Sequence, residues 1–367
     1  MIVTLQGVVG ALLRPLQFLL YGLAGLFARD PRRWVFGSWS GHRFGDNAAA
    51  LFQHVTREDV IVATWITHER ALVAMLRARG LRAHLAWSPA GVWACLRAGV
   101  FVFDGLTKDI NHWLSRGARR VLLRHGVGIK KIERGIEQPS HRLYRLFHGT
   151  LWQRVFWSLL LPWHRVRPDL VIASSPDHAR QGQLYYGVGP ERLAITGLPR
   201  NDQVLAPGPA PWGADNLEWI ARMRRDGRRV WLYLPTFRDN RGLPFSWEAL
   251  DSVARASGTA LLVKLHYVDA ARGFRPAGDG GSHLRVLDPA LNPNLLFRDV
   301  DGLVSDYSSV AYDFMLTRKP VVFFVPDLEA YGQERGFYYP FEEVTPGPRP
   351  RTLAALGEAL GALATAP

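Results

Sequence analysis

The chain has 367 residues, one cysteine, and a formal net charge of +13 from 45 lysines and arginines against 32 aspartates and glutamates. Its length indicates two domains, and 48% hydrophobic with 21% charged residues is typical of a globular protein. A single cysteine excludes a disulfide framework and any cysteine-rich metal site. The positive charge attracts anions such as acidic lipid or a phosphorylated polymer. No nucleic-acid-binding motif is present, so nucleic acid is not expected as a partner.

Residues 1–30 are predicted to be an amphipathic segment that associates with a membrane surface. Arg14 and Pro15 split the segment into two apolar runs. Each run is shorter than the ~20 residues that a spanning helix needs. Arg29, Arg32 and Arg33 add a basic edge, which favours an interfacial helix on an anionic bilayer. The alternatives are a cleaved signal peptide, a transmembrane hairpin and a plain core helix.

From residue 34 onward, short apolar runs with polar ends alternate with helical patterns, which predicts α/β layering. Residues 38–47 form a Gly/Ser-rich loop, and Cys95 is expected in the core of a helix. In this half the predicted strands are 34–37, 60–65, 100–103, 121–123 and 170–173, and the predicted helices are 48–55 and 69–79.

Residues 128–167 form a basic and aromatic stretch, predicted to be helical and to face a membrane or an anionic acceptor. The alternative is an ordinary amphipathic helix packed on the sheet. Residues 206–216 are rich in proline, glycine and alanine, which predicts a linker or an exposed loop.

In the second half the alternation restarts, with predicted strands at 230–234, 260–265, 302–304 and 321–325. Three of these strands lead into polar residues, which parallel strands bring to one sheet edge, where ligands bind. Arg238, His266, Ser308 and Ser309 at that edge are suited to holding a pyrophosphate without a metal. Alternatively, the two serines only cap the following helix. The predicted fold class is therefore α/β, with two doubly wound, Rossmann-like domains and a cleft between them.

The motifs that follow these strands resemble the CDP-glycerol glycerophosphotransferase family, which includes teichoic-acid primases and polymerases and related capsule polymerases. They cover the chain from about residue 34 to about residue 348. In order they are FGS at 36–38 with Gly41, GDN at 45–47, HG at 125–126 with KK at 130–131, SSP at 174–176, TGLPRND at 196–202, LPTFRD at 234–239, KLH at 264–266, SDYSS at 305–309 with DF at 313–314, and KP at 319–320 through PDLE at 326–329 to Tyr331.

The resemblance implies a GT-B-like enzyme that is peripheral on the cytoplasmic face of the cell membrane. Such an enzyme transfers glycerol phosphate, or ribitol phosphate, from a CDP-alditol to a hydroxyl of a lipid-linked glycan acceptor and releases CMP. The product is a teichoic-acid-like or capsule polymer, and no metal or cofactor is implied. Residues 31–198 would be the acceptor-side domain, and residues 199–367 the domain that binds CDP-glycerol or CDP-ribitol.

Carried over by position, His125 is the proposed base and His266 would contact the donor phosphate. Ser308 and Ser309 would grip the pyrophosphate. The other residues expected at the substrates are Arg238, Arg200, Asp306, Asp239, Thr236, Asn201, Ser38, Asp46 and Asn47.

Simpler interpretations stand beside these roles. His125 and His266 could be satisfied strand-end histidines, and Asp46 with Asn47 could only cap a helix. Residues 199–202 could form a hinge turn between the domains.

The sequence departs from the family pattern at Ala48, at Val127 with Gly128, and at Tyr267. These departures affect the acceptor and the alditol more than the fold. The rival functions are a glycosyltransferase of the same fold that uses a nucleotide sugar, and a non-catalytic, membrane-associated polyanion-binding protein.

Overall fold

The computed structural model describes residues 13–205, 213–236, 245–265, 283–289 and 291–365. The chain divides into two compact units. The first unit comprises Met1–His125 and Ile132–Arg200, and the second comprises Gly126–Lys131 and Asn201–Pro367. The chain therefore crosses between the units after His125, after Lys131 and after Arg200.

The first unit contains a seven-stranded sheet in the order β3-β2-β1-β4-β5-β6-β7, and every neighbouring pair is parallel. Its strands are β1 Asp30–Gly37, β2 Val62–Thr67, β3 Ala83–Leu85, β4 Ala98–Phe103, β5 Arg119–Leu122, β6 Leu170–Ala173 and β7 Leu193–Ile195. Its helices are α1 Arg14–Ala24, α2 Asp46–Val55, α3 Arg70–Ala78, α4 Pro89–Arg97, α5 Arg142–Phe147, α6 Leu151–Leu160 and α7 Pro176–Tyr186.

Both faces of this sheet are buried. Alternate residues of one strand point to opposite faces, and in β4 both sets lie in hydrophobic clusters. Phe101 and Phe103 of β4 lie in one hydrophobic cluster, while Val100 and Val102 lie in another. The near-continuous apolar runs in the sequence are explained by this double burial.

The second unit contains a five-stranded parallel sheet in the order β10-β9-β8-β11-β12. Its strands are β8 Arg229–Tyr233, β9 Thr259–Val263, β10 Leu284–Val286, β11 Gly302–Ser305 and β12 Val321–Phe323. Its helices are α8 Asp202–Leu205, α9 Ala214–Arg225, α10 Trp247–Ala256, α11 Val310–Met315, α12 Leu328–Arg335 and α13 Leu353–Thr365. Again the clusters alternate, with Leu232 in one and Trp231 and Tyr233 in the other.

The prediction of an α/β protein with parallel, Rossmann-like sheets is confirmed. Each predicted strand overlaps an observed strand, with bounds that agree within about two residues except that β1 begins at Asp30, four residues before its predicted start. Cys95 is buried in α4. The missed strands β3, β7 and β10 have three residues each. Such runs are too short to carry a detectable period-2 pattern.

The linker prediction was wrong for residues 214–216, which belong to α9, while residues 206–212 lie outside the described residues. The helix prediction for 128–167 was wrong for its first part. Only a 3-10 turn, Glu133–Gly135, occurs before α5. Gly128, Gly135 and Pro139 interrupt this part of the chain, and glycine and proline disfavour helix interiors.

Segment 126–131, which lies within the range predicted for the N-terminal domain, packs into the second unit. Ile129 joins the hydrophobic core there, its carbonyl accepts from the Tyr338 amide at 2.8 Å, and the Lys131 amide donates to the Gly336 carbonyl at 3.1 Å. The residue directly after His125 therefore belongs to a different folding unit.

Across the described ranges, none of the helices combines the length and the apolar character that crossing a bilayer would require.

Candidate functional site

In the first unit, polar residues follow three adjacent strands at the carboxyl edge of the sheet. Ser38 follows β1, Asp104 follows β4, and His125 lies three residues after the end of β5. The strand order reverses between β1 and β4, and such a switch point is where open parallel sheets bind ligands.

Asp104 is a buried carboxylate that ties this edge together. Its Oδ2 accepts from the Ser38 hydroxyl at 2.6 Å and its Oδ1 accepts from the Ala48 amide at 2.9 Å. Asp104 thus satisfies an amide in the first turn of α2, as a capping side chain does. Burial, with the nearby charge of Asp46, raises the pKa of Asp104 well above its usual value. Ser38 is fully buried, so its substrate contact stays a prediction.

Asp46, the first residue of α2, bonds two other predicted site residues. Its Oδ2 lies 2.8 Å from Nδ1 of His125, and its Oδ1 accepts from Nη1 of Arg200 at 2.6 Å. Burial alone would raise the pKa of Asp46, but Arg200 and His125 hold it well below its usual range. Oδ1 of Asp46 also accepts from the Asn47 amide in the first turn of α2 at 2.9 Å. The Asp46 side chain therefore serves the start of α2 and also bonds His125 and Arg200.

Asn47 makes a second pair of long-range contacts. Its Nδ2 donates to the Arg124 carbonyl at 2.8 Å, and its Oδ1 accepts from the Arg200 amide at 3.1 Å. Asn47 itself is fully buried. Its predicted contact with substrate stays a prediction, and its observed partners are backbone groups beside the chain crossings.

His125 is held at one nitrogen and exposed over much of its surface. Its side chain is 46% exposed, and its ring centroid lies 5.2 Å from that of Trp39. Desolvation lowers the pKa of His125, but the hydrogen bond and charge of Asp46, with the charges of Asp104 and Asp109, raise it to about 9. The bond at Nδ1 leaves Nε2 as the nitrogen for proton transfer.

The backbone around His125 is strained. Six described residues other than glycine have positive φ angles, and four of them are Trp39, Ser40, Asp46 and Arg124. Asp109, a further buried carboxylate, accepts from the Ser40 amide at 2.8 Å and stabilises this loop. Strained φ values persist only where the surroundings enforce them, and they cluster at functional sites.

Asp46, Asp104 and His125 place three metal-ligand atoms within 4.8 Å of one another. The donor set nevertheless does not fit a metal ion. The carboxylate of Asp46 is already paired with the Arg200 cation, and both oxygens of Asp104 accept hydrogen bonds from Ser38 and Ala48. The three residues instead form a hydrogen-bonded network around His125.

In the second unit, the equivalent edge joins Thr236, which follows β8, to Asp306, which follows β11. The Thr236 hydroxyl donates to Asp306 Oδ1 at 2.5 Å, and the amides of Thr236 and Tyr307 donate to the same atom at 3.0 and 2.6 Å. Asp306 is buried, and the Tyr307 hydroxyl continues the network to Asp327 at 2.8 Å. The substrate contacts of Thr236 and Asp306 stay predictions.

Ser308 and Ser309 lie directly before α11, a helix of only six residues. The Ser308 hydroxyl accepts from the Val310 amide at 3.3 Å, whereas the Ser309 side chain makes no capping bond. Asn201 ends the 3-10 turn Pro199–Asn201. His266, Arg238 and Asp239 lie outside the described residues.

Sequence reasoning missed Asp104, Asp109 and Trp39. The signal for Asp104 was present, because it directly follows a predicted strand, as the chosen residues do. Trp39 and Asp109 gave no such signal, since their placement depends on loop geometry.

Comparison with known proteins identifies the family. The model of the CDP-glycerol:poly(glycerophosphate) glycerophosphotransferase family matches residues 21–366. The chain belongs to that family. It is therefore a transferase of the glycerophosphotransferase type.

Relatives of the chain act in teichoic acid synthesis. It is 25% identical to the teichoic acid glycerol-phosphate transferase of Staphylococcus aureus (strain NCTC 8325 / PS 47), over 89% of this chain and 82% of that protein. A shorter match, 50% identical over 34% of this chain and 33% of the relative, is to the teichoic acid ribitol-phosphate primase of Bacillus spizizenii (strain ATCC 23059 / NRRL B-14472 / W23).

The fold is shared with a solved structure, the wall teichoic acid polymerase TagF. The two superpose with a TM-score of 0.70 at 20% identity, covering 98% of this chain and 87% of the chain in that structure. At that identity the likeness supports the fold alone.

Proposed function

We propose that this glycerophosphotransferase moves glycerol phosphate, or a related alditol phosphate, from CDP-glycerol or CDP-ribitol to a hydroxyl of a lipid-linked glycan acceptor. The reaction releases CMP and extends or primes a teichoic-acid-like or capsule polymer. One observation carries the proposal beyond family membership. Asp46 holds Nδ1 of His125, so that Nε2 of this half-exposed ring is oriented to receive a proton.

The reaction is a direct displacement at the β-phosphorus of the CDP-alditol. The acceptor oxygen forms the new O–P bond while the bond between the β-phosphorus and the bridging oxygen breaks. The acceptor proton passes to Nε2 of His125, and CMP leaves with the bridging oxygen. Phosphoryl transfer needs little beyond positioning and charge stabilisation, which suits a site of this composition.

We assign the donor to residues 199–367 and the acceptor to residues 31–198, in a GT-B-like arrangement. On this proposal His266, Arg238, Ser308 and Ser309 bind the pyrophosphate. Ser309 supports the assignment because its side chain makes no capping bond at the start of α11. Asp239 and Asn201 are assigned to the alditol.

We also propose that the enzyme works while resting on the cytoplasmic membrane face. Helix α1 turns Leu20 and Ala24 towards the core, whereas Leu16 and Leu19 are 62% and 58% exposed. An exposed apolar face beside arginines is typical of an interfacial helix.

Helix α6 adds a second exposed apolar face next to the first. Trp152 and Phe156 are 81% and 56% exposed, and α6 has no buried residue. Nη2 of Arg14 in α1 donates to the carbonyl of Leu160, the last residue of α6, at 3.1 Å. This contact supports the proposal that the exposed side chains of the two helices share one membrane-facing surface of the first unit.

The activity is tested with a donor panel of CDP-glycerol, CDP-ribitol and a UDP-sugar, assayed with a membrane fraction as acceptor. We expect CMP release from a CDP-alditol and its loss in His125→Ala and His266→Ala. UDP release from the sugar donor instead would favour a glycosyltransferase, and no release from any donor would favour a binding protein.

Membrane contact is tested by flotation with phosphatidylglycerol-rich vesicles. The double variants Leu16→Ser/Leu19→Ser and Trp152→Ser/Phe156→Ser should each bind at least about tenfold more weakly, because burying one such side chain contributes about 1.5–3 kcal/mol. Leu217→Ser, at a 52%-exposed leucine of the second unit, is the matched control. Unchanged flotation of both double variants would exclude this surface.

A further inference from the structure

Two of the three chain crossings leave the first unit beside the same dipeptide. The chain departs after His125 and again after Arg200. These residues are 75 positions apart by their numbers, yet the side chains of Asp46 and Asn47 contact the chain at both places.

Each residue of the dipeptide spans the two crossings. Asp46 binds the His125 ring through Oδ2 and the Arg200 guanidinium through Oδ1. Asn47 does the same with backbone groups, donating to the Arg124 carbonyl and accepting from the Arg200 amide. Because one dipeptide holds both places, a shift of the chain at either crossing would break at least one of these four contacts.

We propose that Asp46 and Asn47 are positioning residues that clamp both connections and so fix the orientation and tautomer of His125. Arg200 completes the clamp by neutralising Asp46, rather than contacting the donor. The proposal rests on the proposed function for the role of His125, and it changes the assignment of Asp46, Asn47 and Arg200 from substrate contact to support.

Burial and local geometry favour this role over simpler ones. The side chain of Asp46 is 4% exposed and that of Arg200 12%, so both are largely covered. Asp104 also contributes to capping α2, since it receives the Ala48 amide. Asp46 adopts a φ of +62°, a strained value of the kind that clusters at functional sites.

The residue before His125 is locked as well. Arg124 has a φ of +64°, and its buried guanidinium donates to the His178 carbonyl at 2.7 Å. The carbonyl oxygen of Arg124 accepts a hydrogen bond from the side-chain Nδ2 of Asn47. The contacts of Arg124 fix the backbone before His125, and Asp46 holds its ring. Together they restrict the positions that Nε2 can occupy.

The first test measures the His125 ring directly by NMR titration, with no substrate present. The charged groups that face the ring are Asp46, Asp104 and Asp109, with Arg200 behind Asp46. In Asp46→Asn the pKa of His125 should fall from about 9 toward the ordinary 6.5. Asp177→Asn, at an exposed aspartate in the first turn of α7, is the matched control and should leave it unchanged.

The second test follows the Arg200 amide by hydrogen exchange. In Asn47→Ala this amide loses its acceptor and should exchange at least about tenfold faster. Gln53→Ala, at an exposed position of the same helix, is the control. Unchanged exchange at Arg200, or a His125 pKa that stays near 9 in Asp46→Asn, would overturn the clamp.

Kinetics separate this inference from the proposed function. Asp46→Asn and Asn47→Ala should lower kcat by about 10- to 100-fold with little change in the KM for the CDP-alditol. Asp46→Asn also reverses the hydrogen-bond preference at Nδ1 and so disfavours the tautomer with Nε2 free. If His125→Ala keeps full activity while the two physical tests succeed, the clamp stands and the base assignment fails.

Discussion

Both units contain the same hydrogen bond between a hydroxyl and a buried carboxylate at the switch point of the sheet, here called the tie. The two units differ in the residues around it. In each sheet the strand order reverses between the first and fourth strands in sequence order, which are β1 and β4 or β8 and β11. A hydroxyl after the first strand donates to a buried carboxylate after the fourth, Ser38 to Asp104 at 2.6 Å and Thr236 to Asp306 at 2.5 Å.

Around Asp104 the tie supports an ionic network that reaches a half-exposed histidine through strained backbone. Around Asp306 the tie continues into an aromatic stack, in which the ring centroids of Tyr307 and Tyr331 lie 3.9 Å apart. The topology thus supplies a buried carboxylate at the switch point, and the neighbouring loops decide whether a half-exposed histidine is held beside it.

The largest expected effect belongs to His125. His125→Ala should lower kcat by about 10²- to 10⁴-fold, the usual contribution of a general base. At pH 7 the variant should also lose some thermal stability, because the buried carboxylate of Asp46 loses His125 and keeps only Arg200 as its charged partner. The measurement pairs CMP release with calorimetry, and His54→Ala, an exposed histidine near the end of α2, serves as the control. A variant that unfolds would show that the first unit uses His125 structurally.

The pH dependence of activity tests the same residue without mutation. A base whose pKa is about 9 is largely protonated at pH 7, so kcat should rise about fiftyfold between pH 7 and pH 9. The sign for stability is opposite. The raised pKa stabilises the fold fully below pH 6.5, and this contribution is lost as pH rises through about 9. A rate that is flat to pH 9 and then falls would indicate that the protonated ring acts instead.

The two carboxylates should respond differently to replacement by asparagine. Oδ1 of Asp306 accepts three hydrogen bonds, and its Oδ2 accepts from the Thr236 amide at 2.9 Å. In Asp306→Asn the new NH₂ group replaces Oδ2 and faces that amide donor, so the variant should lose about 1–3 kcal/mol of unfolding free energy. Asp104→Asn should cost less than about 1 kcal/mol. Burial already favours the uncharged form of Asp104, and the new NH₂ can donate to Ser38. Urea unfolding of both variants checks this, and equal losses would contradict it.

Substitution of two glycines, one in each unit, tests the comparison, because one lies beside His125 and the other beside a core tryptophan. A Cβ on Gly105 would lie 2.9 Å from Nε2 of His125, so Gly105→Ala should lower kcat about tenfold or more while the fold persists. A Cβ on Gly302 would lie 2.4 Å from the Trp231 ring, so Gly302→Ala should cost about 1–3 kcal/mol of stability. Both variants are assayed for activity and for unfolding. Full activity in Gly105→Ala, or unchanged stability in Gly302→Ala, would contradict the prediction.

The smallest expected effect is at Cys95. Burial raises the pKa of its thiol to about 12, so it should resist alkylation in the folded protein and react after denaturation. Fast labelling of the native protein by iodoacetamide would show that the first unit opens around α4 more readily than its buried core indicates.

The sequence by itself determined the layering of the protein. Apolar runs with polar ends predicted the strands, because a strand buried on both faces of a parallel sheet must be apolar throughout. The same pattern predicted that Ser38, His125, Thr236 and Asp306 lie at strand ends, and the spaced motifs predicted the family, which the comparison confirmed.

Only the tertiary structure decided which of those residues bond to one another. Asp46 is 79 positions from His125 and 154 from Arg200. A hydrogen bond between such distant residues leaves no periodic signal along the chain. Asp109 gave no signal in the sequence because its environment exists only once the loops have folded over the sheet edge. Burial in that environment is what raises the pKa of its carboxyl group.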